Sequence, residues 1–251
     1  MKNEIFDIKR FWLVLKRDIY INQKPVLIGL SILFFLYLTK VVFIWLGKGY
    51  ISAQTDFENF FINGYIIVGI VISGLAFGDF RSKETSMSYL MLPASTLEKA
   101  LSMILLTTIG YTLLYIIVFV VFNTVAVLGG LVFDVKIGFY NMFNTRFLHT
   151  IGGYLIINSI LLTGAATFRR SPLIKTILII FGVFWAAVII LSIIAGFIFH
   201  NIVNFDFLQN MAFYNGEKDL TFLKTIGKIL LWITPPVFWS VTYFKIKEKQ
   251  V

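Results

Sequence analysis

The chain has 251 residues, 58% of them hydrophobic and 14% charged, with a mean hydropathy of +0.85, which places it far outside the soluble globular range. Its net charge of +9 comes from basic residues set beside apolar runs, a pattern that suits anionic lipid headgroups and argues against nucleic acid as a partner. The absence of cysteine excludes disulfides, iron–sulfur clusters and thiolate zinc sites.

Residues 1–24 carry Lys2, Lys9, Arg10, Lys16, Arg17 and Lys24 among large apolar side chains. Ile5, Ile8, Trp12, Leu15 and Ile19 recur at helical spacing, which predicts an interfacial amphipathic helix whose basic residues stay wet. The apolar stretch 11–15 is too short for a signal-peptide core. The remainder, 25–251, reads as a six-span transmembrane domain.

The first span covers about 25–46, close to the roughly twenty residues needed to cross the hydrocarbon core. Lys40 lies inside it and has two readings: an ammonium that snorkels to the nearer interface, or a cation on a possible translocation path for an anionic substrate. The second span, 60–78, contains Gly69-x-x-x-Ser73 and Gly74-x-x-x-Gly78, spacings that let helix backbones approach closely.

A polar island, 79–100, separates the second span from the third. Ser82 to Met91 lacks Gly and Pro, and Met87, Leu90 and Met91 fall at helical spacing, so a short amphipathic helix is expected, ended by Pro93. Ser95-Thr96-Leu97-Glu98 has the form of a capping box and predicts a second helix running directly into the next apolar run.

The run Tyr89-Leu90-Met91-Leu92-Pro93-Ala94-Ser95-Thr96-Leu97-Glu98-Lys99 resembles the YLxLPaSxxEK stretch of ABC-2 type transporter permeases, the membrane subunits of ATP-binding-cassette exporters, particularly those of the Bacteroidetes lineage. The layout is similar over nearly the whole chain: a basic amphipathic start, about six spans and a polar loop after the second. The resemblance implies that the loop holds a coupling helix that docks on a separate ATPase subunit. Arg81, Lys83, Glu84, Met87, Leu90 and Met91 are the coupling residues it indicates. It also implies ATP and Mg in that partner, no cofactor in this chain, and pairing with a second permease copy or a related permease. A plain cytosolic loop with a well-capped helix is the competing reading.

The third span is expected from about 101 to 128, broken by Gly129-Gly130, and the fourth from 149 to 168. Ser171 and Pro172 read as N-cap and first helical position of the fifth span, 173–199, whose Gly182, Ala186, Ala187, Ser192, Ala195 and Gly196 suggest intimate helix contact. Residues 200–222 form a long polar and acidic stretch where similar transporters place re-entrant helices, a composition that departs from their pattern and leaves both a re-entrant segment and a plain outer loop open. The sixth span, about 226–244, contains Pro235-Pro236, which should kink it.

With both termini cytosolic, the cytosolic side holds fifteen of the 22 Lys and Arg residues and the outer loops five, so the positive-inside bias favours that topology and an inner-membrane protein. The two histidines, His149 and His200, lack metal-ligand spacing, and neither Gly47-Lys48 nor Gly227-Lys228 has the earlier glycine of a P-loop. Carboxylates are nearly absent from the spans, which argues against ion-coupled transport. The expectation is an all-α polytopic bundle with no catalytic site, serving as the permease of an exporter powered by another chain. The alternative is a non-transporting anchor or scaffold subunit of a larger membrane complex.

Overall fold

The computed structural model describes residues 6–47, 53–81, 83–132, 144–202 and 217–249. Every regular element among them is helical: α1 (Ile8–Gly47), α2 (Ala53–Leu75), a 3-10 turn (Gly78–Arg81), α3 (Lys83–Leu90), α4 (Thr96–Leu105), a π turn (Leu106–Gly110), α5 (Tyr111–Val132), α6 (Thr145–Thr167), α7 (Pro172–Ile202) and α8 (Glu217–Glu248). Six helical stretches are long and apolar enough to cross a membrane, α4, the π turn and α5 together forming one of them. The chain is an all-α, multi-pass bundle.

The six stretches alternate in direction. At one end, the N-terminal half of α1, the island, the α6–α7 turn and the C-terminus of α8 come together: Arg17 bonds Asp79, and Lys249 donates to the Ala166 carbonyl at 2.5 Å. At the other end Arg146 and Asn144, at the start of α6, meet Glu58 on α2. Lys40 belongs to this far end, half-buried with its ammonium 5.8 Å from the centroid of the Phe60 ring.

Aromatic rings fill the middle. Phe61, Tyr65, Tyr111, Tyr115, Phe119 and Tyr154 are buried together. With no water in the hydrocarbon to take a hydroxyl, each tyrosine needs a protein partner. Tyr111 donates to the Tyr65 carbonyl at 2.6 Å, Tyr115 to that of Phe61 at 2.9 Å, and Tyr154 to that of Thr107 at 2.6 Å. The last bond uses a carbonyl of the π turn.

Gly69 lets this core close, since a Cβ there would collide with the Tyr154 ring; Gly74 packs against Leu173 in the same way, whereas Gly78 has nothing within 4 Å. The close approach inferred for α2 is therefore used inside the bundle, against α6 and the start of α7.

Four expectations need correction. α1 is a single 40-residue helix that passes the 24/25 boundary without a break, so the amphipathic segment and the first span are one rod. Leu15 is buried while Ile8, Trp12 and Ile19 stay exposed, and Asp18 on the inward side is tied to α4. Gly129-Gly130 does not end the third span, because α5 runs to Val132. A glycine costs a helix only about 1 kcal/mol, less than leaving backbone groups unpaired in lipid.

Ser171 does not take the extended backbone of an N-cap. Its φ is 53°, the left-handed region, while Pro172 does start α7 and Lys175 donates its N–H to the Ser171 carbonyl. Finally, among the described residues of this chain, Gly182, Ala186, Ala187, Ser192 and Gly196 of α7 make no intimate contact: α7 is anchored by Leu173 and Thr176, and residues 177–194 have no buried side chain. α8 stays helical through Pro235 and Pro236. The stretch 200–222, open by its sequence to a re-entrant segment or a plain loop, falls largely on 203–216, outside the described residues.

Candidate docking site

The island folds as three pieces. The 3-10 turn leads into α3, and the Thr85 hydroxyl donates to the Asp79 carbonyl at 2.6 Å, fastening one to the other. Helix α3 stops at Leu90, three residues before Pro93, since the residue preceding proline is driven out of the helical region. Ser95 then caps α4: its Oγ accepts the Glu98 N–H at 3.2 Å, and Glu98 Oε2 accepts the Ser95 N–H at 2.8 Å. The capping box is formed as its sequence requires.

Glu98 does more than complete that box. Its other oxygen, Oε1, accepts the backbone N–H of Asp7 at 2.7 Å and lies 3.4 Å from Arg10. Asp7 in turn accepts the N–H of Lys9 as the N-cap of α1. One buried carboxylate thus joins the first turns of α1 and α4, where both helix dipoles favour a negative charge.

Lys99 acts at the opposite pole of α3. Its side chain is fully buried, and its ammonium donates to the Leu90 carbonyl at 3.0 Å, taking up a carbonyl left free at the helix C-terminus. The same ammonium lies 5.6 Å from the centroid of the Tyr89 ring, and the Arg17 guanidinium lies 5.1 Å from it.

Arg17 spreads its fork between Asp79, 2.9 Å away, and Asp18, 3.1 Å away. The second Asp18 oxygen accepts from Ser102 of α4 at 2.7 Å. Asp18 is fully buried, and burial pushes its carboxyl up from 3.8 to about 6, against the opposing pull of the Ser102 hydrogen bond and the Arg17 charge. Burial also pushes the Tyr89 hydroxyl well above its ordinary value, and its oxygen has no hydrogen-bond partner among the described residues. At the edge of the cluster Lys249 rests over the Phe80 ring at 4.1 Å, its pKa lowered by burial and then by Arg169 and Lys245.

Helix α3 therefore has a fixed underside and an open top. Ser86 and Tyr89 are buried, Leu90 is half-buried against the apolar cluster that contains Phe77, Phe80, Ala100 and Leu162, and Phe80 meets Tyr89 edge-on. Met87 is 60% exposed and Met91 82% exposed, with Glu84 and Ser88 beside them. The spacing 84, 87, 88, 91 is one helix face, and the Met91 N–H still bonds the Met87 carbonyl at 2.9 Å.

The structure thus divides the coupling residues inferred from the sequence. Met87, Met91 and Glu84 face outward; Leu90 packs largely inward; the side chains of Arg81 and Lys83 lie outside the described residues. Lys40 stands at the other end of the bundle and is no part of this site.

Sequence reading assigns no role to Asp18, counts Arg17 among the wet basic residues of the first segment, and takes Lys99 as the last residue of the family-like run and an orienting charge, not as a buried partner of α3. An acid directly after Arg17 in a mostly basic amphipathic segment, and a lysine directly after a capping-box glutamate, were the available signals. Among the described residues no group of acids and histidines could hold a metal ion. Comparison of the chain with protein-family models, with curated proteins and with solved structures finds no match.

Proposed function

We propose that this chain is the permease subunit of an ATP-driven exporter and that α3 is the helix through which a separate ATPase moves it. The observation that carries the reading is the pairing of an exposed methionine face, Met87 and Met91, with an underside locked to two membrane helices. Methionine suits a surface that must stay in contact while a partner changes shape, because its unbranched thioether repacks readily.

A push on α3 reaches α4 through the Lys99–Leu90 bond, and α1 through Arg17, which bonds Asp79 and flanks Tyr89. Helix α1 continues unbroken into span one, and α4 continues through the π turn into α5, so displacement at the island is passed to spans one and three. The likeness of residues 89–99 to ABC-2 permeases supports the same conclusion, as does the gathering of fifteen Lys and Arg residues at the termini, island and α6–α7 turn. On this reading that end faces the cytosol from the inner membrane, and two permeases, alike or related, complete the transport unit. ATP and Mg bind in the partner.

A scaffold subunit would need only the helices and the basic surface. The experiment that separates the two is purification of the chain with its native partners, followed by assay of ATP hydrolysis. A co-purifying ATPase whose turnover responds to Met87 and Met91 supports the exporter; a complex that hydrolyses no ATP refutes it.

A further inference from the structure

A cavity of about 360 Å³ lies between α1, α2 and the π turn that joins α4 to α5. Leu27, Leu30 and Leu114 form much of its wall, and none of the residues lining it is charged. The polar groups in its deeper part are already used: Thr107 donates to the Met103 carbonyl and Tyr111 to that of Tyr65. At the other end Asn22 donates its Nδ2 to the Asp18 carbonyl at 2.9 Å, which leaves the exposed Gln23 as the polar side chain able to meet a ligand.

The space is made by the π turn. A Cβ on Gly110 would meet its nearest neighbours, the Leu105 carbonyl and Leu106, at 3.5 and 3.6 Å, ordinary contact distances. This glycine is thus not needed for close helix approach, and a larger residue in its place would find room. π turns interrupt membrane helices often at functional positions.

The apolar wall offers water few hydrogen-bond partners, and within a bilayer the apolar material at hand is the lipid chain. Its dimensions suit one. On the side of α4, the π turn and α5 the lining runs from Met103 to Leu114, about 16 Å at the helical rise, or about half the hydrocarbon thickness, the depth of a single leaflet. Ile72 and Ala76 place it at the island end of α2.

The polar end is also placed for a headgroup, because Gln23 lies just before the apolar window that begins at Val26. Lys16, exposed and seven residues earlier, projects from the same side of α1 about two turns further out.

We propose that this cavity holds one acyl chain of an anionic phospholipid from the island-side leaflet, with its phosphate between Gln23 and Lys16. Such a lipid wedges α1 against the π turn and becomes part of the bundle. The inference does not depend on the exporter reading.

The test uses the purified full chain, stripped of lipid and offered equal amounts of dioleoylphosphatidylglycerol and dioleoylphosphatidylcholine in nanodiscs, with retained lipid counted by native mass spectrometry. One phosphatidylglycerol per chain is expected. Leu27→Trp and Leu114→Trp, at partly exposed positions that tolerate added bulk, should each lower its occupancy by about tenfold or more by filling the cavity. Lys16→Gln should lower the preference for the anionic lipid about fivefold, the share of one lysine near a membrane surface. Equal retention by the parent and both tryptophan variants overturns the chain site, as does a parent that holds detergent and no phospholipid. Equal retention of the two lipids by the parent overturns the headgroup assignment.

Discussion

Replacing Asp18 by asparagine keeps the acceptor for Ser102 but removes a carboxylate that the fold holds at an energetic cost. In the folded chain its pKa stands near 6 and in the unfolded chain near 3.8, so the folded state binds the proton more tightly. Stability therefore rises as pH falls through 6 toward 3.8, and the penalty of the buried charge is in full force above 6.

Between pH 7.5 and pH 5.0 the shift contributes about 1.4 kcal/mol in favour of the fold at the lower pH, worth a few degrees of melting temperature in a chain of this size. Melting of parent and Asp18→Asn in detergent at pH 7.5, 6.0 and 5.0 isolates this contribution, because other titrating groups are common to both. The parent should gain those degrees relative to the variant on acidification. Parallel curves, or a parent that loses ground as the pH falls, refute the reasoning.

Two further outcomes follow from the packing and the alternation of helices. Gly69→Ala should lower the melting temperature, since its Cβ has no room beside Tyr154 and overpacking costs about 1–3 kcal/mol. Gly153→Ala, inside α6 where nothing lies within 4 Å, should leave the melt unchanged or raise it slightly, and equal melts for the two would contradict the packing described for α2 and α6. Because the chain has no cysteine, Ser88→Cys and His149→Cys, both at exposed positions, give single labelling sites at opposite ends of the bundle. An impermeant reagent on intact cells should label only the cysteine at position 149; label at position 88 would reverse the orientation.

The number of spans and the start of the third were legible because they depend on local signals: apolar run length, and a serine three residues before a glutamate. Other features depend on partners far away in sequence. Asp18 meets Ser102 across 84 positions and Arg17 meets Asp79 across 62, so nothing near either residue announces the pairing. Leu90 shows the same limit from another side. Its spacing with Met87 and Met91 describes an apolar stripe, but a short helix lying on the end of a bundle must face both the bundle and the partner. Only the position of Phe80 and Leu162 reveals which of the three turns inward.

Punctuation by glycine was misleading where the solvent changes the rules. Gly129-Gly130 read as the end of a helix, yet in hydrocarbon unpaired backbone groups cost more than a glycine does.

The central claim is that Met87 and Met91 receive the ATPase. Its most direct measurement is ATPase retention and ATP-dependent transport by the purified complex carrying Met87→Asp and Met91→Asp together. Buried central anchors are worth about 2 kcal/mol or more each, so each single variant should bind its ATPase about thirtyfold more weakly and the double variant about a thousandfold, or hydrolyse ATP without transport, while its melting temperature stays that of the parent. A variant complex that keeps its ATPase and transports at the parent's rate would show that α3 is not the docking surface.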